Sequence, residues 1–166
     1  PDCHYGISKY KAEQQLKAYC SNSDLTILRI GNVYGVNESV RLDSVMNKFL
    51  FDATTTNLIN IDGDGNQIKQ IVHVSVVAKF ITSIIKNNIC GEIFNLFSEN
   101  ISINEMASHL INSYKDLEVI YVNKGNKFYR LILLEPRSID KKIGINLTSY
   151  KIENFLNNGF SILGSN

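Results

Sequence analysis

Tyr5 and Lys9 stand four residues apart in the segment Tyr5-Gly6-Ile7-Ser8-Lys9. On a helix, residues at that spacing lie one above the other on the same face. The lysine ammonium can then approach the tyrosine phenol and favour its ionised form. Such a phenol can take or give a proton at a carbonyl or alcohol carbon while a nicotinamide moves a hydride. The same spacing also arises by chance on lysine-rich helices, where the tyrosine is simply a surface residue.

The elements that must hold such a pair read as an alternation of helices and strands. The 3.6-residue pattern of Ala12, Leu16 and Tyr19 predicts a helix over 8–19, and the turn cluster Ser21 to Asp24 ends it. The apolar, β-branched run Leu25 to Ile30 predicts a buried strand, closed by the glycine-flanked loop Gly31 to Gly35. A helix is expected over 42–51 and a strand over 58–61. Asp62-Gly63-Asp64-Gly65-Asn66 then reads as a hairpin turn leading to a returning strand over 68–74. Ser75 is the expected cap of a helix over 76–86, and a strand follows over 92–97. Ser102 and Glu105 have capping-box spacing for a helix reaching Tyr114. Strands are expected over 119–122 and 130–134, and short helices near Ile139 and over 148–157. This order looks like the second half of an α/β fold. The chain contains neither Gly-x-Gly-x-x-Gly nor Gly-x-x-Gly-x-x-Gly, so the phosphate-cradling turn of a Rossmann domain is absent from it.

Bulk properties narrow the function classes. The 166 residues are 44% hydrophobic and 20% charged, an ordinary globular composition with room for one core. The formal net charge of +1 gives no reason to expect nucleic acid or an acidic membrane surface as partner. No apolar run approaches the length of a membrane span. Cys3, Cys20 and Cys90 are odd in number and widely spaced, which argues against disulfides and a zinc site, and no metal is expected. The opening Pro1-Asp2-Cys3-His4 lacks the basic and apolar regions of a secretory signal, and the expected location is cytoplasmic.

Four segments in register resemble the extended short-chain dehydrogenase/reductase family of NAD-dependent nucleotide-sugar epimerases and dehydratases. Tyr5-Gly6-Ile7-Ser8-Lys9 with Glu13 is similar to the family's Tyr-Gly-x-Ser-Lys and later Glu. Leu28-Arg29-Ile30-Gly31-Asn32-Val33-Tyr34-Gly35 is similar to Leu-Arg-x-x-Asn-Val-Tyr-Gly-Pro. The stretch Ile61 to Val74 resembles Gly-x-Gly-x-Gln-x-Arg-Asp-Phe-x-His-Val, and Gly91-Glu92-Ile93-Phe94-Asn95-Leu96 resembles Gly-Glu-x-Phe-Asn-Ile-Gly. A weaker match over 139–145 looks like the family's Ser-Lys-x-x-x-x-Leu-Gly. The departures are Val36 for proline, Lys69 for arginine, Gln70 and Ser75 for aspartates, and Phe97 for glycine. Lysine keeps the charge at 69 but loses the bidentate fork that suits phosphate.

The resemblance implies the C-terminal part of a Rossmann-like doubly wound parallel sheet plus a smaller α/β substrate-binding unit. Residues 1–30 would be a remnant of the dinucleotide-binding domain and 31–166 mainly substrate-binding domain, with the 92–97 strand returning to the Rossmann sheet. The glycine-rich N-terminal half, on the order of 140 residues, would lie outside this chain. The resemblance further implies Tyr5 as acid/base and Lys9 as its electrostatic partner and ribose contact, with Ile30 and Gly31 beside the nicotinamide. Asn32 would bind the sugar-nucleotide phosphates, or is a turn asparagine. Lys69 would contact the diphosphate, or is a solvated strand lysine. Arg137 would reach a phosphate, or is a surface residue. His73 reads as a hydrogen-bonded core residue rather than a catalyst. The implied cofactor is NAD, with NADP the alternative. The implied partners are a nucleotide-diphosphate sugar and a second copy in a homodimer, with no nucleic acid and no membrane. The 166 residues alone are expected to be inactive. The rival reading is a non-catalytic nucleotide-sugar-binding or interaction module from a truncated or split gene.

Overall fold

The computed structural model describes residues 3–21, 24–35, 40–122, 145 and 151–157. Helix α1 spans His4–Tyr19, and the Cys3 sulfur at its N-cap accepts from the Gly6 N–H. No residue of α1 is buried. Strand β1 (Ile27–Ile30) pairs in parallel with β5 (Ile93–Leu96), so that Arg29 faces Asn95 and Ile30 faces Leu96. This is the parallel arrangement expected of two strands separated by crossover helices.

At Gly31 the chain passes from this pair into a second sheet. Gly31 N–H donates to Leu96 O at 2.9 Å, and β2 (Asn32–Tyr34) begins at the next residue. A Cβ on Gly31 would lie 2.9 Å from Gln70 O and 3.2 Å from Phe97 Cβ, so glycine is needed here for close approach of two backbones. The second sheet has the order β2-β4-β6, with β4 (Ile68–His73) central and β6 (Glu99–Ser102) antiparallel to it. Ser98 N–H donates to Ile71 O and brings the chain from β5 into this sheet. The third sheet pairs β3 (Leu58–Asp62) in parallel with β7 (Glu118–Val122).

Helix α2 (Val45–Thr55) and helix α4 (Ile103–Ser113) cover one core together with α5 (Ile152–Asn157). Its fully buried members include Tyr34, Met46, Leu50, Ile59, Ile61, Leu110 and Ile152. Helix α3 (Val74–Lys86) packs Val76 and Phe80 on Val72, Phe94 and Leu96 in a second, smaller core.

Several sequence expectations are corrected. Asp62 to Asn66 does not close a hairpin, because β3 and β4 belong to different sheets. The turn chemistry itself holds, with φ of 80° at Gly63 and 73° at Gly65. The turn docks elsewhere: Gly63 N–H donates to Val122 O, and Asn104 donates to Asp64 O from its side chain and to Gly65 O from its backbone. Asp-Gly fixes local φ values but leaves the partner strand to the rest of the fold. The expected loop over 31–35 contains β2, and β6 was not anticipated. Helix α3 starts at Val74 with His73 as its cap, whose Nδ1 accepts from Ser75 N–H at 3.2 Å. Helix α2 starts at Val45 rather than Leu42. The capping box at Ser102 and Glu105 forms as expected, with Glu105 Oε2 accepting from Ser102 N–H at 2.7 Å. The expected strand over 130–134 and the helix near Ile139 lie outside the described residues.

Candidate active site

A cleft of about 860 Å³ opens where α1 passes over the junction of β1 and β2. It brings together Tyr5 and Lys9 from α1 with Ile30, Gly31 and Asn32 from the junction. These five residues come from two segments, α1 and the β1–β2 junction. Lys9 Nζ lies 5.4 Å from the centroid of the Tyr5 ring, the distance of a cation over an aromatic face. The Tyr5 side chain is 73% exposed, so its hydroxyl is open to a ligand entering the cleft.

Asn32 extends its side-chain N–H to Gln70 O at 3.0 Å, which ties β2 to β4 at the floor of the cleft. Gln70 is itself buried and donates to Asn100 Oδ1 at 2.8 Å. Lys69 is half-buried and is not among the residues lining the cleft. Residues two apart on a strand share a face, so Lys69 lies on the face of Ile71 and of its register partner Asn32. Arg137 lies outside the described residues.

The wall of the cleft holds residues that the sequence reading passed over. Arg41 and Asp43, ahead of α2, form an exposed ion pair in which Arg41 Nε donates to Asp43 Oδ1 at 3.0 Å. The Asp43 hydrogen bonds and charge push Arg41 up, with a smaller electrostatic contribution from Tyr5. Ser44 and Asn95 also face the cleft. Glu13 and Arg29 also line the cleft and pair with each other: Arg29 Nε donates to Glu13 Oε1 at 2.9 Å and Nη2 donates to Oε2 at 2.6 Å. The hydrogen bonds from Arg29 hold the Glu13 carboxyl below its usual range, and Glu13 raises Arg29 in turn. The quoted motifs contain both residues, but nothing in a separation of sixteen positions reveals that they touch.

Two further ionisable residues lie away from the cleft. His73 hydrogen-bonds Ser75 Oγ through Nδ1 at 2.7 Å and meets the Tyr34 ring edge-on, with centroids 5.3 Å apart. Burial, with a smaller contribution from Lys79, lowers its pKa. Burial also raises Tyr34, aided by the Glu99 charge. Both are held in packing and capping roles. Among the described residues no group of three or more His, Cys, Asp or Glu side chains is placed to hold a metal ion. No helix among them is long and apolar enough to cross a membrane.

Known proteins resemble this chain in sequence and in fold. A Methanocaldococcus jannaschii protein named "Putative UDP-glucose 4-epimerase" is 33% identical over 106 residues, covering 61% of this chain and 34% of that protein. A dTDP-glucose 4,6-dehydratase of Bacillus anthracis, solved with NAD, superposes with a TM-score of 0.74 at 19% identity, covering 95% of this chain and 51% of that one. A UDP-glucuronic acid 4-epimerase of Bacillus cereus, solved with UDP-glucuronic acid and NAD, gives a TM-score of 0.70 at 19% identity over 94% of this chain and 53% of that one. The chain thus spans about half the length of these two structures, which share its Rossmann-like α/β fold. The model of the NAD dependent epimerase/dehydratase family matches residues 1–128, and this chain belongs to that family.

Proposed function

We propose that these residues supply the catalytic helix and the substrate side of an NAD-dependent nucleotide-sugar epimerase or dehydratase. The observation that carries the reading is the convergence of Tyr5, Lys9, Ile30, Gly31 and Asn32 on one cleft. The donor set fits the nicotinamide-ribose end of the cofactor: an exposed phenol and an ammonium stand beside the β1–β2 backbone. The pyrophosphate needs a glycine turn at a helix N-terminus, which we assign to polypeptide beyond these 166 residues. When bound, NAD would supply the hydride acceptor.

Tyr5 then takes the hydroxyl proton of the sugar carbon being oxidised, and it returns a proton when the carbonyl is reduced. Lys9 offsets the negative charge that develops on the phenol oxygen and hydrogen-bonds the ribose. Asn32 orients the nucleotide phosphates, with Lys69 on the same sheet face and Arg137 as further anion contacts. Exposed Ile7, Tyr10 and Leu16 make α1 the surface we assign to a homodimer contact. Incubating the full enzyme with NAD and UDP- or dTDP-hexoses tests the reading. An epimerised or dehydrated sugar supports it, and recovery of every unaltered sugar contradicts it.

The placement of Lys69 outside the cleft lining favours the rival reading, a binding module without turnover. The natural reading frame decides between the two. A strand followed by Gly-x-x-Gly-x-x-Gly upstream of Pro1 supports the enzyme. An upstream sequence without it, and without a companion chain that carries it, supports the module.

A further inference from the structure

We infer that Asn47 is a positioning residue: its carboxamide clamps the cleft-wall segment that carries Arg41 and Asp43 to strand β2, and so sets the gap that the nucleotide sugar fills. This rests on the functional reading above. Asn47 is the third residue of α2 and is only 5% exposed. Both ends of its carboxamide are used. Its Oδ1 accepts from Gly35 N–H at 3.0 Å, and its Nδ2 donates to Arg41 O at 3.1 Å. One side chain thus holds the chain where it leaves β2 and again where it approaches α2. With a donor on one side and an acceptor on the other, the amide cannot turn over without losing both bonds.

A second contact reinforces the joint. Ser44 occupies the N-cap position of α2, yet its side chain makes no capping bond. Its hydroxyl donates to Val33 O at 3.2 Å instead. Among the described residues β2 has β4 as its one strand neighbour, so Ser44 and Asn47 satisfy backbone groups of β2 as a further strand would. Every partner in the clamp lies between residues 33 and 47 and its centre is buried, so it does not depend on polypeptide outside this chain. Asn47 is not among the residues lining the cleft, whereas Arg41, Asp43 and Ser44 are, together with Asn32 from the start of β2. The Asn47 side chain therefore acts on a ligand only through the residues it places. Of these, Arg41 offers donors to a phosphate and Asp43 offers acceptors to a sugar hydroxyl.

The test uses the full-length enzyme and calorimetric titration with UDP-glucose or dTDP-glucose, whichever the wild type binds. Without the clamp the ligand must return the wall to its place, so apparent affinity falls with the fraction of molecules that hold it there. Two lost hydrogen bonds put the fall in Asn47→Ala at about five- to fiftyfold, with NAD affinity changed less than about twofold. In an Arg41→Ala/Asp43→Ala background, adding Asn47→Ala should weaken binding by less than about twofold, because the groups it positions are gone. Hydrogen exchange of the Gly35 amide should speed up in Asn47→Ala while core amides in α4 stay protected. Asn47→Asp serves as the second variant should Asn47→Ala not fold. It keeps the acceptor for Gly35 N–H but lacks the donor to Arg41 O until its carboxyl is protonated, which burial favours. Its affinity relative to wild type should be low at about pH 8 and recover towards about pH 5.

Unchanged nucleotide-sugar affinity in Asn47→Ala, or the same fold loss with and without Arg41 and Asp43, would overturn the inference. Faster exchange in α4 alongside the loss would also overturn it, since that marks general destabilisation. For Asn47→Asp, an affinity relative to wild type that stays flat with pH would do the same. The wild type separates the two claims. If the full enzyme neither binds nor converts either sugar nucleotide, the functional reading fails and takes the clamp's role with it. If it does both while Asn47→Ala binds as wild type does, only the positioning role fails.

Discussion

Replacing Gly31 by alanine probes the joint on which the whole site rests. The added Cβ would sit 2.9 Å from Gln70 O and 3.2 Å from both Gln70 C and Phe97 Cβ. Ordinary contact begins near 3.4 Å, so a gap of about 0.5 Å must open. The near neighbour is backbone of β4, which is hydrogen-bonded to β2 on one side and β6 on the other, so it cannot yield alone. Overpacking of this kind costs about 1–3 kcal/mol. For a chain of this size each kcal/mol lowers Tm by about 2–4 °C, so a fall of about 2–12 °C is expected. Calorimetry of Gly31→Ala beside wild type measures it. The Gly31 N–H bond to Leu96 O and the Asn32 bond to Gln70 O should weaken with it, so turnover should fall in the full enzyme. A Tm within about 1 °C of wild type would refute the claim that two backbones meet at this residue.

Four other variants test separate parts of the account. Ser102→Ala removes the acceptor of the Glu105 N–H and should cost about 1 kcal/mol in denaturant unfolding. The Ser102 hydrogen bonds hold Glu105 below its usual range; that stability is present above the ordinary value of 4.5 and is lost as pH falls through the folded value, so Glu105→Gln should flatten the acid limb of a Tm–pH curve. Burial instead pushes the Glu99 carboxyl up, against the opposing Ile152 N–H bond of 2.7 Å. Its contribution is full below 4.5 and lost as pH rises through the folded value, so Glu99→Gln should gain on wild type in Tm as pH rises from about 4 to 7. Lys69→Ala in the full enzyme should raise KM with little change in kcat, as expected for a phosphate contact far from the reacting carbon.

How much of this was readable in the sequence depended on how local each signal was. The approach of Lys9 to the Tyr5 ring and the Ser102–Glu105 capping box are set by local helix spacing, and both are present in the fold. The strand at 27–30 and its parallel partner followed from a β-branched run and the intervening helices. The hairpin at 62–66 failed because glycine φ values describe a turn and not the strand that follows it. Strands β2 and β6 are three and four residues long and carry no alternation to detect; β2 exists because Gly31 lets the chain approach β4. Around the cleft, Arg41, Gln70 and Asn95 are gathered by tertiary folding from three distant segments, so no spacing could signal them.

The most direct test of the central claim is the turnover of Tyr5→Phe in the full, NAD-loaded enzyme. Loss of the phenolic hydroxyl removes the proton-transfer group but keeps the ring and its contact with Lys9. General acid–base groups contribute about a hundred- to ten-thousandfold, so kcat should fall by that factor while the affinities for NAD and nucleotide sugar hold. Near-normal kcat in Tyr5→Phe would contradict the account and leave α1 a structural helix.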